Sequence, residues 1–281
     1  MSTQRRRVLW SAGIGPAPLE ERVDAAAANG YDVVSISTLD HQRAVEAGVD
    51  PGEITRRARD RGIDTAIIDG MIEWHPHDPP KVPLGGSNLT VDEVFAMAAD
   101  FDVKLVNAIA PFRTQLSTEG LAEHFAALCD RAAEFGMQVH FEFTPKSPVA
   151  DVGTAWKMVR LADRPNGGIL FDTWHFYRTN PDFDDLAQVP GDRILAVQVS
   201  DGRPEFVEGL LQDTFRHRYL PGEGSFDLVR VLRVLDEMGC LSVVGPEVLA
   251  EELFALPAME NARIAGDAYD RVMAAAFEPI S

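Results

Sequence analysis

Met137-Gln138-Val139-His140-Phe141-Glu142-Phe143 is an apolar run of strand length that closes on a carboxylate, and Gly136 stands directly before it. A strand buried on both faces reads as such a continuous run. A glycine ahead of it marks the end of the preceding helix. The amphipathic stretch 117–135 lies upstream and a second, 152–162, lies downstream. The same unit recurs in both directions along the chain. Strand candidates fall at 8–12 (VLWSA), 32–37 (DVVSIS), 64–69 (DTAIID), 103–109, 137–143, 168–172, 194–199 and 241–248. Helical stretches follow them at 18–28, 51–61, 90–100, 117–135, 152–162, a short turn at 182–187, 226–238 and 253–275. Gly30, Gly62, Gly136 and Gly239 each sit between a helix and the next strand. Strands separated by helices imply right-handed parallel crossovers. Eight such units with no linker and no shift in composition predict one α/β domain over 1–281, a (β/α)8 TIM barrel.

The chain has 281 residues, 46% of them hydrophobic and 25% charged, as expected of a globular protein rather than a disordered or collagen-like one. Lys and Arg number 26 and Asp and Glu 44, a net charge of −18 that disfavours nucleic acid and anionic membranes as partners. Cys129 and Cys240 make no disulfide framework and read as small buried hydrophobes. No apolar run reaches the ~18 residues of a membrane span. The basic start 1–7 leads into a strand rather than a signal core, so a cytoplasmic location is expected.

In such a barrel the chemistry sits at the C-terminal ends of the strands. Strand 5 carries Glu142, strand 6 ends on Asp172, strand 7 carries Gln198 and strand 8 carries Glu247. Three carboxylates and one amide oxygen on adjacent strands form a hard, all-oxygen site for one divalent cation. Mn2+ or Mg2+ suits it best, and Co2+ or Zn2+ is also compatible. Without a cation the carboxylates would repel one another and resist ionising.

These residues, in the segments VHFEF, ILFDTWHF, RILAVQVSDG, HRYLPGEGSFD and VGPEVL, resemble the xylose-isomerase-like barrel superfamily, also called the sugar phosphate isomerase/epimerase family. The family includes ketose 3-epimerases, inosose isomerase and dehydratase, 3-dehydroshikimate dehydratase and endonuclease IV. The resemblance implies that Glu142, Asp172, Gln198 and Glu247 are the metal quartet. It implies that Glu142 and Glu247 also move protons on opposite faces of the substrate. Its sugar epimerases have His where this chain has Gln198, and Gln there resembles the 3-dehydroshikimate dehydratase branch, as does RHRYLPGEG. The expected activity is isomerisation or epimerisation of a small polyhydroxylated ketone through proton abstraction and an enediolate. Loss of a β-hydroxyl from the same intermediate, a dehydratase reaction, is the alternative. A non-catalytic metal-binding barrel is a further reading.

His175, in DTWHF, matches a substrate-contacting His of the family and otherwise reads as a helix cap. His217, in RHR after strand 7, is a candidate acid, base or substrate ligand. Arg203, Arg216 and Arg218 share its loop and would steer an anionic substrate. His140 points the same way as Glu142 and reads as a buried residue or a proton relay. Trp74 and His75, in EWHPHDPP with His77, read as a lid, and Trp10 and Trp174 as pocket walls. No dinucleotide fingerprint, Walker loop or nucleophile elbow occurs. The expected partner is a small-molecule substrate. Family members often pair through helices or rim loops, so a homo-oligomer is allowed for.

Overall fold

The structure is a computed structural model that describes residues 5–72, 74–75, 89–110 and 115–278. Eight parallel strands close into a barrel in chain order: β1 (Arg6–Leu9), β2 (Val33–Ile36), β3 (Asp64–Met71), β4 (Leu105–Ile109), β5 (Gln138–Glu142), β6 (Gly167–Asp172), β7 (Ile194–Val199) and β8 (Val243–Pro246). Arg6 pairs with Val243 and Arg7 with Val244, which joins the last strand to the first. The seam is tight. A Cβ on Gly245 would lie 2.0 Å from the Val8 carbonyl oxygen, so only glycine lets β8 approach β1 there.

Side-chain alternation divides each strand between two cores. Val8, Val33, Ile67, Leu105, Leu170 and Ala196 fill the lumen with Trp10 above them. Leu9, Val34, Ile68, Val106, Phe141, Phe171 and Val197 face outward into the layer beneath the helices. Both faces are dry, which is why the strands read as unbroken apolar runs. Gly30, Gly62, Gly136 and Gly239 have φ of 71°, 78°, 68° and 76°, the left-handed conformation that ends a helix and returns the chain to the barrel floor.

The strand predicted at 8–12 stops at Leu9, because Ser11–Ile14 turns into helix. The stretch after β2 holds two helices, Thr38–Glu46 and Pro51–Asp60, rather than one. The predicted turn at 182–187 contains the helix Phe183–Ala187, capped by the Asp182 carboxylate. Cys129 and Cys240 are free and buried, and burial pushes both thiols up to about 12. Among the described residues no helix is long and apolar enough to cross a membrane.

Candidate active site

The barrel mouth opens into a cavity of about 530 Å³, within the range of about 300–1,000 Å³ typical of small-molecule sites. Glu142, Glu247, His175 and Arg218 line it. Asp172 and Gln198 lie just beneath and are fully buried. The register sets Asp172 opposite Gln198, and Gln198 opposite Gly245 two residues before Glu247. Strand pairing thus brings the predicted quartet to one level of the lumen.

The local bonds are specific. Gln198 Nε2 donates to Glu247 Oε1 at 2.8 Å. Arg218 Nη1 donates to Asp172 Oδ2 at 2.8 Å and to Glu247 Oε2 at 3.1 Å. His175 Nε2 lies 3.1 Å from Glu142 Oε1 and 3.4 Å from Asp172 Oδ2. The other Asp172 oxygen accepts from the Trp174 backbone N–H at 2.8 Å and caps the helix Thr173–Arg178, which carries His175 into the site. Burial and three neighbouring carboxylates hold Glu247 well above the usual carboxylate range, and Arg218 only partly offsets them. Burial opposes the Arg218 charge, yet Asp172, Glu247 and Glu142 raise its pKa.

A divalent cation fits this arrangement. Gln198 Oε1 is buried and has no hydrogen-bond partner among the described residues. An unsatisfied oxygen beside crowded carboxylates is what a hard cation ligates. Glu142, Asp172 and His175 also present ligand atoms within 4.8 Å of one another.

The polar ring extends beyond the predicted four. Asp69 on β3 and Asn107 on β4 continue it, with Ser35 on β2 and Ser11 after β1. Asn107 Nδ2 donates to Glu142 Oε2 at 2.6 Å and to Asp69 Oδ1 at 3.2 Å. Burial first, and then the Glu142 charge, push the Asp69 pKa up to about 7. Asp69 follows the same sequence rule as the quartet, one polar residue closing an apolar strand. Beside it a buried Arg22–Asp40 ion pair forms part of the cavity wall.

Of the other predicted substrate residues, only Arg218 lines this cavity. His217 faces a second, smaller concavity with Arg203 and lies 3.6 Å from Glu208. An isolated bridge ties the backbone at His217 to Ala250 directly after the helix Leu210–Arg216, and the next residue, Arg218, turns inward to Asp172 and Glu247. Arg203 packs on the Tyr219 ring and Arg216 pairs with Glu251 at 3.3 Å, both outside the cavity. Trp10 belongs to the lumen core rather than the wall. Trp174 is fully buried and donates to Thr214 Oγ1 at 3.2 Å. Trp74 donates to the Ile109 carbonyl at 2.9 Å and packs edge-on against Phe125 and Phe141, which anchors it in the core instead of a lid. His75 is buried against Trp74, and His77 lies outside the described residues. His140 is fully buried, and burial lowers its pKa to about 3.

The profile of the family described as "Xylose isomerase-like TIM barrel" matches residues 23–271. An inosose isomerase of Bacillus velezensis is 25% identical over 92% of this chain and 93% of its own length. A 3-dehydroshikimate dehydratase of Pseudomonas aeruginosa is 26% identical over 87% of this chain, which spans only 38% of that relative. A crystal structure of the IOLI protein with a bound zinc atom superposes with a TM-score of 0.83 at 21% identity, covering 98% of this chain and 100% of that one.

Proposed function

The chain belongs to the xylose isomerase-like TIM barrel family, and on that premise we propose that it is a divalent-cation-dependent isomerase or epimerase of small polyhydroxylated ketones, inososes first among them. One observation carries this reading. The unpartnered Gln198 oxygen and three buried carboxylates share the floor of an open cavity.

Glu142, Asp172, Gln198 and Glu247 would hold the cation. Bound there, it polarises a carbonyl and a neighbouring hydroxyl of the substrate and makes the adjacent C–H acidic. Glu142 on β5 and Glu247, directly after β8, reach the cavity from separate sides of the mouth. One takes the carbon-bound proton, and the other, in its protonated form, supplies a proton to the opposite face or the neighbouring carbon. His175 orients Glu142 by hydrogen bonding and reaches the cavity to contact a substrate oxygen. Arg218 offsets the charge of Asp172 and Glu247.

The test is incubation of Mn2+-loaded protein with an inosose in deuterated water, followed by NMR. An isomerase keeps the substrate mass and places deuterium on the carbon beside the carbonyl. A second reading, dehydration, is favoured by Gln198 in place of His. New ultraviolet absorbance from 3-dehydroshikimate, abolished by chelator and by Glu142→Ala, would establish that reading instead.

A further inference from the structure

We propose that Asp69 is a second proton carrier of this site, moving protons between substrate oxygens while Glu142 and Glu247 move the carbon-bound proton. The proposal rests on the isomerase reading above. Its basis is position. In the closed strand order β3 stands opposite β7, so Asp69 faces the cation ligands across the mouth. A ketone whose carbonyl and neighbouring hydroxyl face the quartet lies between it and β1–β3, so Asp69, which lines the same cavity with Ser11, approaches those two oxygens from the other side.

The surroundings of Asp69 differ from those of the other carboxylates. Asp172 and Glu247 share the Arg218 cation. Asp69 has no ion-pair partner among the described residues, and its hydrogen-bond partners are neutral. Asn107 donates to Oδ1 at 3.2 Å. Ser35 Oγ lies 3.4 Å and Ser11 Oγ 3.5 Å from Oδ2. Ser35 Oγ already accepts from the Ser11 backbone N–H at 2.7 Å, which leaves its own O–H free to turn to Asp69. Burial and the nearby Glu142 charge favour the neutral acid at Asp69, and the three neutral donors oppose this without cancelling it. Its raised pKa agrees with this.

The step balances without a co-reactant. Exchanging H–C–OH and C=O for C=O and H–C–OH moves one hydrogen between carbons and one proton between oxygens. Protonated Asp69 gives its proton to the carbonyl oxygen, which becomes a hydroxyl. The carboxylate then takes the proton of the adjacent hydroxyl, which becomes the carbonyl, and Asp69 returns to its starting state.

Asp69→Asn separates this role from a positioning one. Asparagine keeps the size and the acceptor toward Asn107 but cannot release and recover a proton. Both variant and wild type are loaded with Mn2+ and given an inosose in deuterated water. Deuterium in recovered substrate reports carbon-proton removal, and product reports complete isomerisation. Conversion should fall by about 100-fold or more, whereas exchange falls by less than about tenfold. Parallel loss of both signals, unchanged conversion, or weakened Mn2+ binding in calorimetry would each overturn the assignment. Wild type that neither exchanges nor converts overturns the isomerase reading and this assignment together. Wild-type exchange with full turnover by Asp69→Asn overturns this assignment alone.

Discussion

Arg218 Nη1 lies 2.8 Å from Asp172 Oδ2, so a guanidinium already touches a carboxylate proposed to bind the divalent cation. The same nitrogen reaches Glu247 at 3.1 Å. A fixed positive charge therefore stabilises two buried carboxylates and also opposes any cation bound between them.

Removing that charge should act in two directions. Arg218→Gln should tighten Mn2+ binding by about tenfold, because a repelling neighbour is gone. In chelator it should destabilise the fold by about 3 kcal/mol, because buried carboxylates lose their partner. Calorimetric titration and thermal melts read the two effects, and unchanged Mn2+ affinity would contradict the first.

Gln198 should set metal preference. Gln198→His replaces an amide oxygen with an imidazole nitrogen at the same strand position. The ratio of Zn2+ to Mn2+ affinity should rise by about tenfold. Competition between the two ions on the purified variant measures that ratio directly.

The two histidines near the mouth should separate cleanly. His175→Ala removes a ring that lines the cavity and bonds Glu142, and turnover should fall by about 100-fold or more. His217→Ala changes a side chain in the neighbouring concavity, and turnover should stay within about threefold. Equal losses from both would place His217 in the catalytic cavity after all.

Asp69 should make stability pH-dependent. Its folded pKa of about 7 exceeds the ordinary value of 3.8, so the fold retains a proton that the unfolded chain releases. The resulting stability is fully present below the unfolded pKa and is lost as pH rises through about 7. In chelator, Asp69→Asn should therefore gain on wild type between about pH 4 and pH 8, by up to about 4 kcal/mol. A melting-temperature difference that stays flat over that window would show that the carboxyl titrates normally in the fold.

The barrel and the quartet were legible because burial on both strand faces writes long apolar runs, against which Glu142, Asp172, Gln198 and Glu247 stand out. Asp69 closes the run DTAIID in the same way, but the next strand carries only the neutral Asn107 inside its run, so the series of strand-end carboxylates is broken there. Ser11 and Ser35 gave no such contrast, since a small hydroxyl is common in buried strands. The choice between His217 and Arg218 was not local. It depends on a bridge from His217 to Ala250, and either neighbour could have turned inward. The tryptophans misled for a related reason. Trp10, Trp74 and Trp174 are large enough to reach either the mouth or the core, and only tertiary packing decides.

The lumen ring divides the labour of the molecule between its two halves. The residues proposed to hold the cation come from the β5–β8 side, whereas Ser11, Ser35 and Asp69 come from the β1–β3 side. Among the described residues the two sets are hydrogen-bonded to each other only through Asn107, which bonds Asp69 and Glu142 together. Such a division makes the enzyme modular in evolutionary terms. Loops and strand ends of the first half can drift toward new substrates while the second half keeps the cation in place. Divergence of specificity within one scaffold then requires no redesign of its metal chemistry.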